Sequence, residues 1–292
     1  MRMKDILQRF LFENAPIRGE LVHLDETWKA VLARHEYPAP VRSLLGEMMA
    51  ASALLSATLK YDGSITLQVQ GDGPISLIVV EATSDKTLRG MAQWQGEVAE
   101  GDLQGRVGSG RLIITIDPGA GSERYQGVVE LQGASLADAL DDYLERSEQL
   151  PTRMWLAADG EQAAGMLLQR LPERESEDKD AWDRVCHLGA TLSSEELLTL
   201  PAEQIIHRLF HEEDLRLFDK EGVSFSCACS RDRVAKMLRT LGSEEVHSIL
   251  EEEPGITVDC EFCRQRYSFD SVDVEQIFAA SEASPEVSTT RH

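Results

Sequence analysis

The sequence predicts an α+β protein: an N-terminal domain built on a mostly antiparallel sheet with packed helices, a helical linker, and a small C-terminal domain rich in cysteine. Three observations carry this. Strand-like alternation and turn signals recur through the first half of the chain, helical spacing interrupts them at three places, and four of the five cysteines crowd into the last quarter. The length of 292 residues agrees with more than one domain, because a single hydrophobic core usually stops growing near ~250 residues.

The first helix is expected at residues 26–34 and a second at 41–59. In the second, Val41, Leu44, Leu45, Met48, Ser52, Leu55 and Leu59 follow helical spacing. Its other side is rich in Ala and Ser, so the helix should be buried nearly all round. Ile65, Leu67 and Val69 alternate with Thr66, Gln68 and Gln70, and the turn GDGP at 71–74 leads into a strand at 75–80. That is a hairpin. Residues 111–116, the turn PGAGS and residues 124–131 repeat the pattern. A helix at 136–146 and strands at 153–157 and 166–171 complete the domain.

Charge marks its end. Residues 173–292 hold 27 acidic against 13 basic residues, which is −14 of the chain's −22. Within PERESEDKD, 172–180, nothing apolar is available to bury, so the run reads as a linker. The expected division is a core domain at 1–172, a charged and helical linker at 173–226, and a C-terminal domain at 227–292. In the linker, Ser193 and Glu196 are spaced as a capping box ahead of Leu197 and Leu198. Pro201 can open a further helix carrying Ile205, Ile206, Leu209 and Phe210. Helices this short are marginal alone in water, so that apolar stripe should dock as a lid on the first domain. In the last domain we expect a helix at 231–241, a second capped by Ser243, a turn at Pro254-Gly255, strands near 256–260 and 267–269, and a helix at 272–279. The tail after Ala280 is poor in apolar residues and is expected to be disordered.

A net charge of −22 repels phosphate backbones and anionic headgroups, so neither nucleic acid nor a membrane is an expected partner. The longest nearly charge-free apolar stretch, Met48 to Leu59, falls short of the ~18 residues a membrane span needs. The N-terminus, MRMKDILQRF, lacks an apolar signal core, and a cytoplasmic location is expected.

Cys227, Cys229, Cys260 and Cys263 read as C-x-C, thirty residues, C-x-x-C. In a reducing compartment such pairs mean metal or redox chemistry more often than permanent disulfides. Four thiolates suit a closed tetrahedral zinc site, and a domain of this size needs such a staple. A purely structural zinc knuckle is the plainer reading. Thiolates are also the species that oxidants attack, which leaves a redox role open. Cys186 has no neighbouring cysteine and reads as a small apolar residue. His207 and His211, one helical turn apart, read as a solvated pair. The glycines of GRVGSG, 105–110, precede no helix and read as turns. A zinc-ribbon nucleic-acid binder would share the cysteines, but residues 244–253 hold five acidic groups and no Lys or Arg. A thiol oxidoreductase would need Cys260 and Cys263 alone, at the start of a helix.

Behind a domain containing RGEL (18–21), GDGP (71–74), YQG (125–127) and SEQLPT (147–152), this cysteine arrangement resembles the bacterial 33 kDa chaperonin family, redox-regulated heat-shock holdases. The resemblance covers almost the whole chain. It implies a small C-terminal zinc-binding domain and a reduced, inactive monomer with one zinc held by the four cysteines. Oxidation is implied to join Cys227 to Cys229 and Cys260 to Cys263, expel zinc, and unfold the linker and last domain. The exposed surface would then bind unfolding client proteins, with dimers as the active form, no ATP, and no enzymatic reaction.

Overall fold

Near the N-terminus, β1 (Ile6–Phe12) and β2 (Ile17–Leu24) pair antiparallel, with Phe10 opposite Gly19. A short helix α1 (Glu26–Leu32) and the long α2 (Ala39–Ala57) follow. The chain then builds β3 (Ser64–Gln70), β4 (Ile75–Thr83), β5 (Thr87–Trp94), the single-turn α3 (Leu103–Val107), β6 (Arg111–Asp117) and β7 (Tyr125–Glu130). Helix α4 (Leu136–Arg146), closed by a Ser135/Asp138 capping box, leads to β8 (Thr152–Ala158) and β9 (Ala163–Arg170). This computed structural model describes residues 5–58, 62–119, 122–131, 134–172 and 178–282. Leu59, most of the charged run after Pro172, and the expected disordered tail beyond residue 282 lie outside the described residues.

The single sheet expected from the sequence is two. One runs β8-β9-β2-β1, and the other runs β5-β4-β3-β6-β7. Helix α2 packs on strands of both, which is the physical reason it is buried on nearly every side. It starts two residues earlier than its spacing indicated, with Pro40 in the first turn. Strands β1, β2 and β5 were not anticipated. Strands covered on both faces read as apolar runs without clean alternation, and β9 shows this most fully, with all but its last residue buried. The GRVGSG glycines belong to the end of α3 and its exit, where Gly108 takes φ +71, a conformation that favours glycine.

The segment after the charged run is more than helices. It forms α5 (Ala181–Gly189), α6 (Ser194–Thr199) and α7 (Ala202–Phe210), then β10 (Leu215–Leu217), β11 (Glu221–Gly222) and β12 (Ser224–Phe225). The short strands β10 and β11 pair with β1, and β12 pairs parallel to β5. Both six-stranded sheets are therefore edged by this segment. Beside it lies a charged cluster. Glu20 is 2 % exposed on β2, opposite Arg9 in the ladder. Arg9 also meets Glu221 at 2.5 Å, and Lys86 meets Glu221 at 3.6 Å. Burial pushes the Glu20 carboxyl up to about 7, against the pull of Arg18, Arg9 and Lys86.

Residues 1–226 form one compact unit and 227–292 a second. The second contains α8 (Arg231–Leu241), α9 (Ser243–Glu252), the hairpin β13 (Ile256–Asp259) and β14 (Arg266–Phe269), and α10 (Ser271–Glu282). Helix α9 is capped by Gly242, at φ +99, and not by Ser243, which already lies in the first turn. The Ser243 hydroxyl instead meets His247 at 3.1 Å.

Candidate metal and redox centre

Chain geometry brings the four cysteines together from two sides. Cys227 and Cys229 follow β12 directly, and Ser230 then caps α8 by accepting from the Arg233 N–H. Cys260 and Cys263 occupy the turn between β13 and β14. That turn is closed by Arg264 N–H to Cys260 C=O at 2.8 Å and Cys260 N–H to Gln265 C=O at 3.0 Å, with Arg264 at φ +61.

All four sulfurs lie within 4.8 Å of one another, and each residue is half-buried. Cys227 Sγ is 3.7 Å from Cys260 Sγ, and Cys229 Sγ is 3.3 Å from Cys263 Sγ. A metal–sulfur distance of about 2.3 Å would place tetrahedral sulfurs about 3.8 Å apart. The spacing thus fits a closed four-thiolate cage. Burial pushes the Cys263 thiol up to about 12 and likewise raises Cys260, which favours the protonated thiols unless a cation lies among them. Backbone N–H groups of Phe262 and Cys263 act on Cys260 in the opposite direction, as that of Gln265 does on Cys263. A cation bound among four sulfurs so arranged would favour their thiolate forms.

The other sequence-derived candidates lie elsewhere. Cys186 is on α5, and burial pushes its thiol up to about 11, which disfavours the thiolate. His207 and His211 are exposed and stack at 5.8 Å. Ile205, Ile206, Leu209 and Phe210 are 0–4 % exposed. They join Phe10, Phe12, Leu21, Met166 and Leu168 in a cluster on the face of the first sheet turned away from α2. Phe210 meets Phe10 and Phe12 with ring centroids 6.0 and 5.3 Å apart. Gly19 makes this possible, since a Cβ there would lie 2.0 Å from the Phe10 ring. Gly189 of α5 plays the same part against Trp155. Sequence reasoning missed Tyr267, whose hydroxyl donates to Cys229 Sγ at 3.2 Å. Its place two residues before Phe269 in a strand was its only signal.

The sequence model of the Hsp33 protein family matches residues 5–270. This chain belongs to the Hsp33 family. It is 51% identical, over the full length of both chains, to the 33 kDa chaperonin of Nitrosococcus oceani. It is 50% identical to that of Methylobacillus flagellatus, with 98% of each chain covered. The crystal structure of the 33 kDa chaperonin (heat shock protein 33 homolog) of Thermotoga maritima shares the fold, with a TM-score of 0.84 at 21% identity, covering 96% of this chain and 100% of that one. Within the Hsp33 framework, RGEL acquires a structural meaning: Gly19 seats Phe10, Glu20 is the buried carboxyl, and Leu21 joins the cluster under α5 to α7. Among the described residues no helix is long and apolar enough to cross a membrane.

Proposed function

We propose that this chain is a cytoplasmic, ATP-independent holdase chaperone that binds unfolding proteins and is switched by oxidation of its four clustered cysteines. The single observation that carries the reading is a four-sulfur cage in a unit whose own core comprises eight buried residues among those described, Val234 to Ile277. So small a core depends on its staple. Cys227, Cys229, Cys260 and Cys263 would hold one zinc per reduced chain. When bound, zinc supplies the positive charge that keeps the sulfurs as thiolates.

Each cysteine pair, Cys227 with Cys229 and Cys260 with Cys263, then loses two electrons to a peroxide as its S–S bond forms. The peroxide O–O bond breaks and, with two protons, leaves as two waters. The chain keeps no thiolate able to hold a cation, and the second unit loses its staple. Only Ser226 separates Phe225 of β12 from Cys227, so melting of the second unit would free the far end of the segment that edges both sheets. Ile205, Ile206, Leu209 and Phe210 would then leave the face they cover, and that apolar face would receive clients and a second copy of the chain. The reduced form is the inactive monomer, and the oxidised form is the active dimer.

Two other readings have less support. Arg231 and Arg266 are each engaged by an aspartate, Asp273 and Asp259, at 2.7 and 2.8 Å, which leaves them less free for phosphates. An oxidoreductase needs a depressed thiol at a helix start, whereas Cys260 and Cys263 sit in the turn between β13 and β14. The test is suppression of aggregation of a denatured test protein, without ATP, by the reduced and the peroxide-treated chain. Equal suppression by both forms defeats the switch, and suppression by neither defeats the holdase.

A further inference from the structure

Tyr267 lies on β14 opposite Val258 of β13. Its ring packs against the apolar cluster of the second unit, and its hydroxyl reaches Cys229 Sγ at 3.2 Å. The sulfurs of Cys260 and Cys263 are met by backbone N–H groups of their own turn. Cys229 is met by a side chain from the other cysteine segment's hairpin. One hydroxyl therefore ties the C-x-C segment to the strand that carries the C-x-x-C turn.

We propose that Tyr267 is a positioning residue that holds the Cys229 sulfur in the four-sulfur cage and sets how readily that sulfur is oxidised. This rests on the redox-switch reading above. Packing fixes the ring, so the hydroxyl offers its proton at one place, and Cys229 Sγ is kept 3.3 Å from Cys263 Sγ. A hydrogen bond donated to a thiolate also withdraws part of its charge and weakens it as a nucleophile toward peroxide oxygen. Loss of an outer partner of this kind typically costs 10–100-fold in metal affinity. The oxidation it governs is the two-electron step already written, with peroxide as oxidant and two waters as product.

Tyr267→Phe keeps the ring and removes only the hydroxyl. In the full-length, reduced, zinc-loaded chain, competition with a chromophoric chelator should show zinc held roughly 10-fold more weakly. Under limiting hydrogen peroxide, alkylation followed by mass spectrometry gives the rate of thiol loss at each cysteine. The ratio of the Cys229 rate to the Cys260 rate should rise several-fold. Tyr125→Phe, which deletes a hydroxyl bonded to Glu148 in the first unit, should change neither. General loosening of the hairpin would accelerate all four cysteines together, so a ratio that stays at its wild-type value overturns the proposal whether or not zinc weakens. A wild-type chain without zinc defeats the redox-switch reading and this inference with it. A wild type holding one zinc, beside a variant that behaves identically, defeats only the role of Tyr267.

Discussion

The two units of this chain solve the same problem by different means. The first surrounds α2 with two sheets and buries a cluster of forty apolar residues among those described, then adds eighteen more where α5 to α7 cover the first sheet. The second, with eight, closes four sulfurs around a point. Apolar burial is distributed, so the first unit tolerates local loss. The second gathers four sulfurs at one place, so on the proposed reading one chemical event would remove its staple. The segment from Ala181 to Phe225 belongs to the first unit by contact and ends two residues before the second. On the proposed reading, it is where the difference between them would become a switch.

The strongest way to break this comparison is to remove the proposed metal. A chelator under reducing conditions should unfold the second unit entirely, since structural zinc contributes roughly 10–16 kcal/mol in small peptides, while residues 5–172 keep their hydrogen-exchange protection. Cys260→Ser should behave like the chelated protein and Cys186→Ser like the wild type. Protection that survives chelation beyond residue 227 would show that the eight-residue core suffices alone.

A smaller effect is expected from the docked segment. Ile206→Ser with Leu209→Ser should weaken its docking by about 2–5 kcal/mol per site. Protection over 181–222 should fall while the α2 cluster stays protected, and the reduced, zinc-loaded protein should suppress aggregation. If zinc is retained, the segment opens and aggregation proceeds unchecked, the covered face is not the client surface.

Titration should sharpen the contrast. Glu20 has its carboxyl raised to about 7 from 4.5 by burial, so the folded first unit holds a proton that the unfolded chain has released. Its stability contribution is therefore lost as pH rises from about 4.5 to about 7, by a few kcal/mol at most. In the second unit Asp259 and Asp273 are held below the ordinary range, first by hydrogen bonds from Arg266 and Arg231. Their contribution is present above the ordinary carboxylate range and fades as pH falls through it. Glu20→Gln should flatten the first unit's melting profile between pH 4.5 and 7 relative to wild type and leave that of the second unchanged. Parallel wild-type and variant profiles would contradict the burial argument.

The smallest change is expected in α6, at the edge of the docked segment. Ser193→Ala removes the capping box of α6, in which the Ser193 hydroxyl accepts from Glu196 N–H and the Glu196 carboxylate accepts from Ser193. A loss of about 0.5–2 kcal/mol should raise exchange in α6 and leave zinc content untouched.

Much of this was legible in sequence because it is local. The capping boxes, the 65–80 hairpin, the stripe on α7 and the cysteine spacing each depend on residues a few places apart, and local geometry fixes them. What the sequence could not decide is which distant surfaces meet. Strands β1 and β2 read poorly because both their faces are covered, by α2 on one side and α5 to α7 on the other, and that covering is a tertiary fact. The strands β10 to β12, of two or three residues each, exist only because β1 and β5 offer them edges. The same holds for Tyr267, a strand residue in sequence whose contact with Cys229 arises only when the hairpin folds back on the segment after β12. Residue spacing sets what each segment can form alone, while burial on two faces and contacts between distant segments arise only once the chain has packed.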